Sequence, residues 1–216
     1  MPVITSVEPQ KKNSKRFNVF LDGKFAFGAD EDLVVNFRLT PKKEISQEDL
    51  EKILFEAEVG KLMEKMYNWF SFRQRSEKEV RNYFKIKNQG LRIKEKEEYS
   101  EFVIENLIEK LKQKGLINDL EFAKAWVESR RRSKQKGINA LKAELYQKGI
   151  SGEIIEEVIS DKVEVTSEEE LAKKALEKKT RAWKNLPEQE FKKKATGFLL
   201  RKGFEYSVIK RLLIVL

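Results

Sequence analysis

Five of the seven residues from Arg130 to Lys136 are basic, within the stretch WVESRRRSKQKG that runs from Trp126 to Gly137. Side chains of this type can neutralise phosphates or carboxylates, so the chemistry they offer is electrostatic attraction to a polyanion. The chain has no His and no Cys. Serine–histidine and cysteine–histidine catalysis both need an imidazole, and structural zinc sites need Cys or His, so these chemistries are excluded. Magnesium held by carboxylates stays open in principle. The carboxylates, however, come as adjacent glutamates or at Glu–Lys helix spacings, which describe solvated faces. GKFAFG, from Gly23 to Gly28, has the spacing that opens a phosphate-binding loop. It continues with Ala29 and Asp30 where Lys and Ser or Thr are needed, so its glycines are read as hairpin punctuation. The expectation is a protein with no catalytic residue, no metal ligand and no cofactor. The net charge of +9 favours acidic partners or nucleic acid.

The elements around the basic stretch follow from periodicity. VITSVEPQ and RFNVFLDG carry strand-like residues, Asp22-Gly23 marks a hairpin, and KFAFGA continues the alternation with Phe25 and Phe27 on one face. Asp30 caps a short helix, DEDLVVNFRL, which Thr40-Pro41 breaks. Ser46 with Asp49 opens a long helix carrying Leu50, Ile53, Leu54, Ala57, Leu62, Met63, Met66, Tyr67 and Phe70 at helical spacing. Ser76 starts the next helix, with Val80, Tyr83 and Phe84 inward. The basic loop KNQGLRIKEKEE leads to a third, with Phe102, Val103, Leu107, Ile108 and Leu111, closed by Gly115. No apolar run approaches the ~20 residues that cross a bilayer, and no signal-peptide pattern opens the chain. A cytoplasmic protein is expected.

Two later segments repeat one rhythm. LEFAKAWVES (120–129) matches EELAKKALEK (169–178), and LKAELYQKGISGEIIEEVI (141–159) matches ATGFLLRKGFEYSVIKRLL (195–213). Superposing Lys148-Gly149 on Lys202-Gly203 pairs Leu145 with Leu199, Ile150 with Phe204, Ile154 with Val208, Ile155 with Ile209 and Val158 with Leu212. Tandem three-helix units over roughly residues 57–216 follow. The second of these segments has the rhythm of a helix-turn-helix, but Glu153, Glu156 and Glu157 would repel phosphate, which argues against base readout. Trp69, Trp126 and Trp183 each fall near the end of a unit's first helix. Trp126 continues the stripe of Phe122, Ala123 and Val127 and is read as packed. Trp183 lies between Arg181 and Lys184 and is the one to test for stacking on bases. At ~100° per residue, Arg130 falls on the apolar side, where its stem packs and its head reaches a carboxylate or helix end. Arg131 sits on the flank and Arg132 faces solvent.

GLINDLEFAKAWVESRRR followed by KGINALKAELYQKGIS resembles the central repeat of the RecX family, regulators of the RecA recombinase. RQRSEKEV (Arg73 to Val80) resembles that family's first-repeat signature, and GFLLRKGFEYSVI (Gly197 to Ile209) its last. The loop SKQKGINAL departs from the family in having Gly137 and no Pro. The resemblance implies a mainly α fold: tandem three-helix repeats in an elongated, curved array, preceded by a small β-hairpin or meander unit. The expected boundaries are 1–45 for the β unit, 46–56 for a connecting helix, and 57–115, 116–165 and 166–216 for the three repeats. It also implies a monomer, not an enzyme, that binds RecA filaments on single-stranded DNA and inhibits ATP hydrolysis, strand exchange and coprotease activity in DNA repair and the SOS response. Its direct contact with the DNA would be weak or secondary. The candidate contact residues are Arg73, Arg75, Arg131, Arg132, Lys134, Lys136, Arg181, Lys184, Arg201 and Lys202. A general basic DNA-binding protein, acting by competition for DNA, is the alternative, and a helical adaptor for another acidic protein is a third reading.

Overall fold

The computed structural model describes residues 1–11, 13–90, 99–162 and 165–215. Three strands, β1 (Ile4–Gln10), β2 (Asn13–Leu21) and β3 (Lys24–Asp30), form an antiparallel sheet in the order β1-β2-β3. Among the described residues ten helices follow: α1 (Glu31–Asn36), α2 (Gln47–Phe70), α3 (Glu77–Gly90), α4 (Glu101–Gln113), α5 (Asp119–Lys134), α6 (Ile138–Gln147), α7 (Gly152–Lys162), α8 (Val165–Trp183), α9 (Glu188–Lys202) and α10 (Tyr206–Val215). The chain divides into two compact units. One comprises Met1–Gln74 with Arg81–Ile117; the other comprises Arg75–Val80 with Asn118–Leu216.

In the first unit, Asp22 and Gly23 both take positive φ, which is the backbone a two-residue hairpin needs. The pairing corrects one expectation. Val19 stands opposite Phe27 and Phe20 opposite Phe25, so Ala26 is an extra residue in β3. A bulge shifts the alternation by one, which puts Phe25 and Phe27 on opposite faces. Phe27 joins the core with Ile4, Val19, Leu33 and Ile53, whereas Phe25 stays 59% exposed beside Phe20. The short helix ends at Asn36, before the expected Leu39, which is buried beneath the turn that follows. Ser46 caps α2 by accepting from the Asp49 amide at 3.0 Å. The first half of α2 packs on the sheet through Ile53 and Ala57, and α2 also packs on α4. Of the expected basic loop, Lys87–Gly90 closes α3 and 91–98 lies outside the described residues.

The second unit holds two helix triplets with separate cores. One gathers Phe122, Val127, Leu141, Leu145, Ile155 and Val158 from α5, α6 and α7; the other gathers Leu176, Leu199, Phe204, Ile209 and Leu212 from α8, α9 and α10. Four of the five residue pairs matched across the repeat are buried on both sides; in the fifth, Ile154 is half-buried where Val208 is buried. Both second helices end alike. Gly149 and Gly203 take φ of +83° and +88°, and the next amides reach back five residues, Ile150 to Leu145 O (3.1 Å) and Phe204 to Leu199 O (3.1 Å). This is the left-handed helix stop that needs glycine.

Those two turns both dock through their carbonyls. Ser76, where α3 begins, donates its hydroxyl to Lys148 O at 2.7 Å, and Lys148 Nζ reaches Glu79 at 2.5 Å. Gly137, the N-cap of α6, donates its amide to Lys202 O at 3.0 Å, and the Asn139 amide donates to Gly203 O at 2.9 Å. Each Lys-Gly turn therefore accepts at the start of an earlier second helix, a side-chain hydroxyl from Ser76 in one case and the backbone amides of Gly137 and Asn139 in the other. Helix starts carry amides without intrahelical partners, so at α6 the junction and the cap are one structure.

Candidate partner-binding surface

The segment WVESRRRSKQKG is not one patch. It starts in the second half of α5, which runs to Lys134 and stops at Gln135 in a left-handed conformation, and it ends at Gly137, the N-cap of α6. Trp126 therefore sits in the middle of this helix, not near its end. It is half-buried, stacked on Phe122 with ring centroids 5.6 Å apart. Its Nε1–H donates to Glu144 Oε2 at 2.9 Å, and Arg130 donates through Nε to the same oxygen at 2.9 Å. The Arg130 guanidinium also lies 4.1 Å from the Trp126 ring centroid. Arg130 is thus held by a carboxylate and an aromatic face, as its place on the helix predicted. Lys136 adds a second cation 3.4 Å from Glu144.

Burial on its own would raise the Glu144 carboxyl. The hydrogen bonds from Trp126 and Arg130, with the charges of Arg130 and Lys136, outweigh it and hold the group below the usual carboxylate range. A depressed folded-state value means that the stabilisation is complete above the ordinary ~4.3 and is lost as pH falls through the folded value. Glu144→Gln is expected to cost about 1–2 kcal/mol at neutral pH, because one charged acceptor of two donors is lost. The gap between variant and wild type should narrow in urea melts as pH falls below the ordinary carboxylate range and through the lowered folded value, where wild-type Glu144 itself becomes protonated.

The remaining basic residues have different surroundings. Arg131 pairs with Glu168, whose side chain is almost wholly buried, and Arg131 itself is mostly covered. Arg132 and Lys134 are exposed. The Lys202 ammonium donates to the backbone oxygen of Lys134 at 2.5 Å, and burial followed by the like charge of Lys136 lowers its titration point. Lys134, Lys136 and Lys202 therefore meet at the α5–α6 turn. Arg181 and Lys184 are exposed at the end of α8, and Arg201 lines a cavity beside Trp183. Arg73 belongs to the first unit, where its Nη1 donates to Gln74 O at 2.8 Å; Arg75 belongs to the second and is half-buried. GKFAFG is hairpin and strand, with Gly28 within β3. A larger cleft in the first unit, about 790 Å³, is lined by both signs of charge, with Arg16–Glu64 and Lys110–Glu56 paired across it. Sequence reasoning missed Glu144 and Glu168 as partners and Lys193 and Lys194 as cavity residues; the run Lys192–Lys194 was the available signal for the last two.

Tandem three-helix units, with arginines paired inside and cations left at turns and helix ends, define a helical-repeat protein. Comparison with known proteins agrees. Families described as the regulatory protein RecX N-terminal domain, the RecX second three-helix domain and the RecX third three-helix domain match residues 2–46, 118–159 and 167–213. The chain belongs to the RecX family. It is 37% identical to the regulatory protein RecX of Bacillus subtilis over 209 residues, which span 97% of this chain and 75% of that one. The same protein of Bacillus velezensis is 37% identical over 97% of this chain and 75% of its own. A crystal structure of a regulatory protein RecX superposes with a TM-score of 0.78 at 28% identity, covering 98% of both chains. The structure of RecX from Lactobacillus salivarius gives 0.59 at 25%, covering 73% of this chain and 95% of that one. Among the described residues no helix is long and apolar enough to cross a membrane.

Proposed function

We propose that this protein binds RecA filaments assembled on single-stranded DNA and inhibits their ATP hydrolysis, strand exchange and coprotease activity, acting as a cytoplasmic, non-enzymatic monomer in recombinational repair and the SOS response. Family membership over nearly the whole chain is the observation that carries this reading. The physics of the surface supports it. A filament is a periodic polyanionic assembly, and a repeat protein presenting cations at successive turns gains effective concentration with each added contact. The proposed units are the β unit, the connecting helix and the three repeats with the boundaries given above. The proposed contacts are the ten basic residues, led by the exposed pair Arg132 and Lys134.

Titration into the cognate recombinase on single-stranded DNA should suppress ATP hydrolysis at protein levels far below those that coat the DNA. Unchanged hydrolysis at stoichiometric protein, with a control inhibitor working, defeats the proposal. The Arg132→Glu/Lys134→Glu variant should bind preformed filaments about tenfold more weakly, since two like charges are reversed at a polyanion, while its melting curve stays that of the wild type. If naked DNA captures the protein better than filaments do at moderate salt, competition for DNA replaces filament regulation.

A further inference from the structure

One cavity in the second unit has the makings of a nucleobase site. It measures about 340 Å³ and is lined by Trp183, Glu190, Lys193, Lys194, Gly197 and Arg201. That is near the small end of the ~300–1,000 Å³ range of ligand clefts. Trp183 is the last residue of α8 and is half-buried. Two near-perpendicular ring contacts hold the indole, to Phe191 (6.3 Å, 77°) and to Phe198 (6.1 Å, 85°). Both partners pack against the core of this helix triplet, so the ring is anchored while it borders an open space. Gly197 leaves one wall of that space without a side chain; a Cβ there would approach only Arg201 Nη1, at 3.4 Å. The lining carries three cations and one carboxylate, and that carboxylate, Glu190, is already paired with Lys194 at 3.0 Å.

We infer that this cavity takes a base of single-stranded nucleic acid, stacked on Trp183, with the neighbouring phosphates on Lys193 and Arg201. A fixed aromatic ring flanked by cations is the arrangement by which proteins hold unpaired strands without reading their sequence. An acidic peptide would use the cations and leave the indole idle. A duplex keeps its bases stacked inside and offers no free π-face to the ring. The other tryptophan of this unit differs: the Trp126 N–H is taken by Glu144, and Arg130 lies over its ring. The inference deepens the filament reading by giving the protein its own hold on the strand, yet it can be tested without the recombinase.

The test is fluorescence anisotropy of the full chain with a labelled oligothymidylate and with an abasic strand of equal length. Wild type should prefer the strand that has bases. Trp183→Ala should lose that preference, with affinity for oligothymidylate down about tenfold and affinity for the abasic strand unchanged, while Trp183→Phe keeps most of it. Gly197→Leu should act like Trp183→Ala by filling the cavity. It lies within a helix, where leucine is a better residue than glycine, so it remains decisive if Trp183→Ala does not fold. Arg201→Gln should weaken both strands and flatten the salt dependence by about 0.7 in log–log slope, the share of one phosphate contact. Equal binding of the two strands by wild type, or a wild-type preference surviving in Gly197→Leu, overturns the inference. Neither result bears on the recombinase titration, so the two readings fail separately.

Discussion

Gly203→Ala should destabilise the second unit by about 4 kcal/mol, a large share of the ~5–15 kcal/mol that holds a domain together. Two costs add. The left-handed backbone at φ +88° costs an alanine roughly 1–2 kcal/mol. The new methyl would also run into the backbone nitrogen and the Cβ of Ala140 in α6, which cannot yield like the tip of a flexible side chain. Overpacking of that kind costs about 1–3 kcal/mol, and it would loosen the amide bonds of Gly137 and Asn139 to the Lys202–Gly203 turn. Gly115→Ala is the internal control. Gly115 has φ +69° but nothing within 4 Å of its Cβ position, so only the first cost applies. Urea melts should separate the two variants by more than about 2 kcal/mol. Hydrogen exchange should show the Gly137 and Asn139 amides losing protection in Gly203→Ala and keeping it in Gly115→Ala. Equal losses in the two variants would mean that the junction contributes nothing beyond the local turn.

This junction marks where the sequence stops being legible. Local signals were readable because their physics is local. Asp22-Gly23 needs only its own two dihedrals, and Asp30 and Ser46 cap helices through amides three residues on. The matched pairs from Leu145/Leu199 to Val158/Leu212 were readable because burial repeats with the helical period. Phe25 was misread because one inserted residue, Ala26, reverses the faces without leaving a mark in the alternation. Gly137 was noticed only as a missing proline. Its meaning lies 66 positions away in number, where a Cβ would stand 2.6 Å from the Gly203 carbonyl and the Phe204 nitrogen. The wheel projection placed Arg130 correctly, since its carboxylate lies on the adjoining helix of the same triplet. It put Arg131 on the flank and could not show that Glu168, from the next triplet, closes over that flank. The Trp183 cavity was half legible: the aromatic and the nearby cations stood out, but Lys193 and Arg201 come to it only through the packing of α9.

Removing the Glu168 carboxylate should cost about as much as the Gly203 methyl. Its side chain is 2% exposed and that of its partner Arg131 is 14% exposed, so the pair is well inside the protein. Glu168→Ala takes away the charge that compensates a desolvated guanidinium, a change that costs about 3–5 kcal/mol where such pairs are buried. The paired state itself is a different matter, because removing two ions from water offsets most of their attraction. Arg131→Met/Glu168→Met, which replaces both ions with apolar side chains, should therefore be more stable than either single replacement and within about 1 kcal/mol of wild type. A double-mutant cycle from urea melts, built from the two single methionine variants and their combination, should give a coupling of at least about 3 kcal/mol; additive losses would show that the two side chains act independently. The same variants test function. If Arg131 serves only to neutralise Glu168, the double methionine variant inhibits recombinase ATP hydrolysis as the wild type does. If Arg131 also reaches the filament, that variant is as stable as wild type and inhibits less.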